Sequence, residues 1–192
     1  MAQHQPKLIA LVGMPGSGKG TCTDHLSEKY KLPLIHFGQM MYEEVQRRGL
    51  DNVNDEKFVR EDMRKKEGPA VLAKMVARKA DGYIADGAHT IVLDGLYSWS
   101  EYKYLREKYG DNIVVIAVAA PRLTRYERVL ARTDGHRKYT SAEQVEIREI
   151  DEIEHLEKGG PIAFADYTLV NDREGKENLL RQVDELVERI GI

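Results

Sequence analysis

Gly13-Met14-Pro15-Gly16-Ser17-Gly18-Lys19-Gly20-Thr21 follows directly on the apolar run Leu8-Ile9-Ala10-Leu11-Val12. The order predicts a strand, a glycine-rich turn and a lysine in the first turn of a helix, which is the setting of a phosphate-binding loop. Gly13, Gly16 and Gly18 carry no Cβ, so the backbone can curl and aim several N–H groups at one anion. The positive end of the helix adds to that site. Lys19 supplies a point charge that reaches the β- and γ-phosphates of a nucleotide. The plain alternative is a glycine-rich turn without a ligand, and the full spacing after a strand argues against it.

Arginine is the second chemical signal. Arg122, Arg125, Arg128, Arg132, Arg137 and Lys138 face only Glu127 and Asp134, a local excess of four positive charges in a chain of net charge −3. Arg125, Arg128 and Arg132 recur at helical spacing and are expected on one face. Thr133-Asp134-Gly135-His136 then breaks the helix, and Arg137 sits on that loop. The next helix carries seven carboxylates, from Glu143 to Glu157, and Arg148. Such runs often form a solvated, salt-bridged face. As a cluster they fit phosphate better, because the guanidinium fork matches phosphate oxygens and spreads charge over a transferring phosphoryl group. An arginine-bearing loop between two helices also has the form of a closing lid, which would expel water from the donor phosphate.

Parallel strands are expected at 7–12, 33–36, 90–94, 112–119 and 166–171, because apolar runs alternate with helical patterns. Residues 112–119 are nearly all apolar, as in a strand covered on both faces. Leu179, Leu180, Val183, Leu186, Val187 and Ile190 lie on one face of a last helix. Ser98-Trp99-Ser100-Glu101 reads as a capping box opening a helix at 99–109. Ser141-Ala142-Glu143-Gln144 opens another at about 141–157, and 55–80 reads as helix. In an open parallel sheet, ligands sit beyond the carboxyl ends of the strands. Those ends hold the phosphate loop, His36-Phe37-Gly38-Gln39, Asp94-Gly95, Pro121-Arg122 and Asn171-Asp172. Asp94 would face the phosphate loop and could hold Mg²⁺ through water or accept a substrate contact. Asp86 is its rival, with a shorter apolar run before it and a stronger loop signal around it.

A chain of 192 residues, 42% apolar and 32% charged, suits one α/β domain with a real core. The acidic balance disfavours wholesale nucleic-acid binding. No apolar run is long enough for a membrane span, and the first residues lack the form of a signal peptide. The single cysteine, Cys22, excludes an internal disulfide and fits a reducing cytoplasm. Cys22 is read as packing. The six histidines show no metal-ligand spacing.

Taken together, these residues resemble the P-loop nucleotide kinases of the adenylate kinase and dephospho-coenzyme A kinase group, and most nearly a set of adenylate-kinase-related proteins that mix features of the two. Gly13 to Thr21 has the adenylate-kinase form of the loop. His36-Phe37-Gly38-Gln39-Met40-Met41-Tyr42 is similar to the segment that opens the acceptor-binding helices, and Val92-Leu93-Asp94-Gly95 to the Leu-Asp-Gly motif. Glu127 to Arg137 resembles the start of the lid. Ala165-Asp166-Tyr167 is closer to the dephospho-coenzyme A kinases.

The resemblance implies one P-loop kinase domain over 1–192. It would be a three-layer α/β sandwich, with a five-stranded parallel sheet, helices on both faces and a small helical lid at about 128–150. An acceptor-binding helical insert would span about 38–80. It implies ATP and Mg²⁺ as cofactors and a small nucleotide as acceptor. Gly13, Pro15, Gly16, Ser17, Gly18, Lys19, Gly20 and Thr21 would hold ATP, with Arg128, Arg132 and Asn171 toward the base and phosphates. Lys19, Asp94, Arg128, Arg137 and Arg148 would act on the transferring group, and Thr21 and Asp94 would stand near the metal. Gly38, Gln39, Tyr42, Arg64, Asp94 and Tyr97 would face the acceptor. Adenylate kinases have arginines where this chain has Tyr42 and Tyr97-Ser98, and a tyrosine offers one hydrogen bond but no charge. Arg47, Arg48, Arg60 or Arg64 would have to substitute. Three functions stay open on this reading: transfer to a nucleoside monophosphate, transfer to a hydroxyl acceptor, or a nucleotide switch acting on a protein partner.

Overall fold

Along β1 (Lys7–Val12), Leu8, Ala10 and Val12 pack to one side, Ile9 and Leu11 to the other, and all five are buried. A strand apolar on both faces needs covering on both, and each such Leu or Ile contributes about 1.5–3 kcal/mol by leaving water. The computed structural model describes residues 7–51, 55–132, 138–172 and 175–192.

After β1 come α1 (Lys19–Tyr30), β2 (Leu34–His36), α2 (Phe37–Arg47), α3 (Glu56–Glu67) and α4 (Val71–Ala85). Then follow β3 (Thr90–Asp94), α5 (Trp99–Tyr109), β4 (Ile113–Ala119), α6 (Arg122–Leu130) and α7 (Ala142–Glu154). The last elements are α8 (Gly159–Ala163), β5 (Tyr167–Val170) and α9 (Glu177–Ile190). The five strands are parallel in the order β2-β3-β1-β4-β5. This is the three-layer parallel sandwich expected; β1 and β3 keep their expected bounds, and the other three strands are trimmed by one residue at one or both ends.

Cys22 and Leu26 of α1 join Leu179, Val183, Leu186 and Val187 of α9 against one face of the sheet. Burial pushes the Cys22 thiol up to about 12, so it stays protonated and packs as an apolar group. Phe37, Met41 and Val45 of α2, Val76 and Ala80 of α4, and Leu105 of α5 cover the other face.

The helix expected over 55–80 is two helices. Gly68, at φ +94°, and Pro69 separate α3 from α4. Proline lacks an N–H and excludes the residue before it from helical geometry. α5 opens on the expected capping box, with Ser98 Oγ accepting from Glu101 N at 3.2 Å and Glu101 Oε2 accepting from Ser98 N at 3.0 Å. α7 has half of one. Ser141 Oγ accepts from Gln144 N at 3.3 Å, but Gln144 Oε1 reaches the N–H of Thr140 at 2.9 Å. α6 and α7 share a small core of Tyr126, Val129 and Val145 apart from the sheet. No helix of the described residues is long and apolar enough to cross a membrane.

Candidate active site

The register places Asp94, the last residue of β3, between Leu11 of β1 and His36 of β2. Its two oxygens are both engaged. Oδ1 is ion-paired with Lys19 Nζ, and Oδ2 meets His36 Nδ1 at 2.9 Å. Burial alone would raise the Asp94 carboxyl, but the bond from His36 and the charge of Lys19 outweigh it and hold it at about 2. His36 is correspondingly raised by that bond. Asp86 caps α4 and is exposed. It lines a different cleft with Lys31 and His89. Asp94, and not Asp86, is thus the aspartate that ends a strand beside the phosphate loop.

The loop itself is tightly drawn. A Cβ on Gly16 would lie 2.4 Å from the carbonyl oxygen of Arg125, and one on Gly18 2.3 Å from Asn171 Nδ2. Both glycines have positive φ, +79° and +100°. No other residue fits there without moving neighbouring elements. Ser17 Oγ is buried and has no hydrogen-bond partner, an orphaned polar atom inside the loop. These features fit a bound anion.

Two clefts open beside the loop. In the first, Gly16, Gly18 and Thr21 line a space with Arg128, Arg132, Asn171, Lys176 and Leu179. Arg128 donates to the carbonyl of Asn171 at 3.3 Å and to its side-chain oxygen at 3.4 Å, and Asn171 Nδ2 donates to Ser17 O at 2.8 Å. In the second, Gly13, Pro15, Gly16, Ser17, Gly18 and Lys19 share a space with Tyr42, Tyr97, Arg132, Arg148, Glu152 and Lys158. Gly20 is exposed in the first turn of α1, where its carbonyl accepts from Thr23 Oγ1 at 2.8 Å.

Next to the second cleft is a cavity between α2, α3, α4, α5 and α7. Its walls mix apolar Phe37, Met41 and Leu72 with Gly38, Tyr42, Arg64 and Tyr97. Tyr42, Tyr97, Arg148 and Glu152 border both this cavity and the phosphate cleft. Arg60 Nη1 is held by Glu56 Oε1 at 2.6 Å, and Arg148 Nη2 by Glu152 Oε1 at 2.7 Å. Among the described residues, Arg64 makes no direct ion pair, although its charge is felt by the Glu101 carboxyl. Glu101 is buried, which pushes its carboxyl up to about 7 against the N–H bonds it accepts from Tyr97 and Ser98. Burial drives the Tyr97 phenol far up, so it remains a neutral donor.

Several expected site residues stand elsewhere. Gln39 is exposed and bonds Glu43 at 3.0 Å. Gly38, Met41 and Tyr42 face the cavity from the same helix, and one residue of helical rotation turns Gln39 away. Thr21 lines the Arg128 cleft, and Lys19 lines the other. Among the described residues no cluster of three or more His, Cys, Asp or Glu could hold a metal ion. Arg125 does not share the phosphate-facing side with Arg128 and Arg132. It is buried, ion-paired with Glu149 of α7, and donates to Ala120 O at 3.1 Å. Arg122 pairs with Glu146 at 3.1 Å, so part of the positive cluster is neutralised by the acidic helix that follows it. Arg137 lies outside the described residues.

Sequence reasoning missed His36 as a partner of Asp94, and missed Glu101, Glu152 and Lys158. His36 ends a strand at the ligand-binding edge, and that position was the available signal. Nothing in the sequence around Lys158 marks it.

Over 186 residues the chain is 34% identical to a UPF0200 protein of Thermococcus onnurineus, covering 95% of this chain and 97% of that one. A UPF0200 protein of Aeropyrum pernix is 34% identical over 173 residues, 89% and 87% of the two chains. The chain belongs to the UPF0200 family. The family described as an AAA domain matches residues 12–146, which run from the phosphate loop into α7. TT1252 from Thermus thermophilus superposes on this UPF0200 chain with a TM-score of 0.70 at 23% identity, covering 98% and 99% of the two chains. Shikimate kinase from Bacteroides thetaiotaomicron does so at 0.57 and 14%, covering 97% and 99%. The UPF0200 chain thus carries an AAA domain and shares its fold with these two proteins.

Proposed function

We propose that the protein transfers the γ-phosphoryl group of Mg-ATP to a small molecule held in the cavity beside the phosphate loop. The observation that carries this reading is the shared wall. Tyr42, Tyr97, Arg148 and Glu152 border both spaces, so a donor on the loop and an acceptor in the cavity would meet there. An acceptor oxygen forms a new bond to the γ-phosphorus as the bond to the β–γ bridging oxygen breaks, and ADP leaves. A hydroxyl acceptor also loses its proton in this step. No covalent intermediate with the protein is needed, because positioning and charge neutralisation carry such transfers.

The chain's residues divide that task. Loop N–H groups and Lys19 would bind the β- and γ-phosphates. Arg128, Arg132 and Asn171 border the cleft that would take the rest of the donor. Mg²⁺ would be held mainly by phosphates and water, and would neutralise charge on the transferring group. Asp94 is free to accept its water once Lys19 turns to the phosphates. The helix pair α6–α7 is our candidate for a closing lid, and residues 38–80 for the acceptor insert.

A nucleoside monophosphate is the acceptor class we favour, with Arg64 as the cation for its phosphate. One observation favours a hydroxyl acceptor instead. Arg60 and Arg148 are already paired to carboxylates, which leaves less free charge than a phosphate dianion demands. ADP release from Mg-ATP, measured against nucleoside monophosphates, their deoxy forms and dephospho-coenzyme A, tests the reading. One strong acceptor is expected. Flat, slow hydrolysis across the panel would count against a kinase and for a switch acting on a protein partner.

A further inference from the structure

A buried lysine is rare unless it is paired, and Lys158 is only 3% exposed. Its backbone sets it there. Glu157 before it adopts a left-handed φ of +55°, uncommon for a residue with a Cβ, and the Lys158 N–H donates to Glu152 O at 3.1 Å. The turn sends the side chain inward. Nζ donates to Glu152 Oε2 at 2.5 Å and lies 5.1 Å from the centre of the Tyr97 ring. Burial pulls the ammonium's pKa down, and Glu152 opposes that pull.

The other oxygen of Glu152 holds Arg148 at 2.7 Å. One buried carboxylate therefore serves two cations. Such a group contributes little to stability for its desolvation, since apolar residues of similar volume often do as well. It also leaves a net positive charge, and that charge faces the phosphate cleft that Lys19 shares. Lys19 repeats the arrangement on the other side, where its carboxylate is Asp94. Each lysine is parked on a carboxylate next to the loop. A phosphoryl group has the oxygens to draw either one away.

We infer that Lys158 is a second phosphate-directed lysine, which contacts the transferring phosphoryl group together with Lys19 and Arg148, and that Glu152 positions it. This rests on the phosphotransfer reading above. The competing role for Lys158 is a strut that only holds α7 to the turn before α8.

The test compares binding of MgADP with binding of MgADP plus aluminium fluoride, a mimic of the phosphoryl group in flight. The wild-type protein is expected to bind the fluoride complex at least about tenfold more tightly than MgADP. Lys158→Met is expected to keep MgADP affinity within about twofold and to lose the fluoride increment by about 10- to 100-fold. Lys158→Arg should restore part of the increment. A full increment in Lys158→Met overturns the inference, and so does an equal loss of both affinities, which is what a strut predicts. Should Lys158→Met not fold, Lys158→Gln carries the same comparison, because it is polar but has no charge. Wild-type protein that binds MgADP without any fluoride increment sinks this inference alone. Wild-type protein that binds no nucleotide sinks the kinase reading, and the inference with it.

Discussion

Lys19 and Asp94, 75 positions apart in the chain, form an ion pair between the first turn of α1 and the end of β3. The loop lysine thus has a carboxylate partner within the fold. Lys19→Ala should reduce phosphotransfer by at least about 10³-fold, since charge at the transferring group dominates such reactions. It should also leave Asp94 buried beside His36 alone. Single-turnover ADP formation in the variant checks the first point, and near-normal turnover would refute the site.

His36 gives the pair a pH dependence. Its pKa is raised by the bond to Asp94. A raised histidine contributes its stability fully below its ordinary pKa of about 6.5 and loses it as pH rises through the folded value. His36 is 39% exposed, so solvent screening keeps the effect below about 1 kcal/mol. Denaturant titrations at pH 6 and pH 9 should therefore show a slightly larger loss of stability for wild type than for His36→Gln.

Glu101 should behave in the opposite sense to an ordinary surface carboxylate. Its folded pKa, about 7, lies above the usual 4.5 because the group is buried. The stability tied to its proton is present below pH 4.5 and is lost as pH rises through 7. Glu101→Gln keeps acceptors for the N–H groups of Tyr97 and Ser98 without the buried charge. At pH 8 it should be more stable than wild type by roughly 2–3 kcal/mol, and near pH 5 the difference should shrink toward zero. A lower Tm at pH 8 would contradict this account.

Two arginines of one helical run should separate cleanly. Arg125→Ala leaves Glu149 buried without its cation and should cost about 3–5 kcal/mol of stability. Arg132 is exposed and lines both clefts beside the loop. Arg132→Ala should keep the melting temperature within a degree or two and weaken ATP binding by about tenfold. Paired thermal melts and nucleotide titrations distinguish the two roles.

Gly18→Ala should damage the loop through geometry alone. The added methyl would meet Asn171 Nδ2 at 2.3 Å with φ at +100°. Asn171 bridges to Arg128, so nucleotide affinity should fall with stability, by about 1–3 kcal/mol in the latter. Wild-type melting of this variant would show that the loop is slacker than its contacts imply.

Much of this protein is local and therefore legible in the chain. The phosphate loop is a contiguous motif. The strands are runs of apolar residues, and the cap at Ser98 is three residues from its partner. The break at Gly68-Pro69 is equally local, but the longer helical pattern on either side hides it. Tertiary structure decided which charges meet between elements. Arg125 and Arg132 share a spacing, yet one is buried on Glu149 and the other faces a cleft, because α7 packs against one side of α6. Asp94, Lys19 and His36 come from three elements, and only the parallel register brings them together. Lys158 is invisible in sequence because its meaning lies in burial, in a turn at Glu157 and in a carboxylate six residues earlier. Ion pairing and desolvation depend on separations of a few ångströms, and residue spacing sets those only within a helix or a strand.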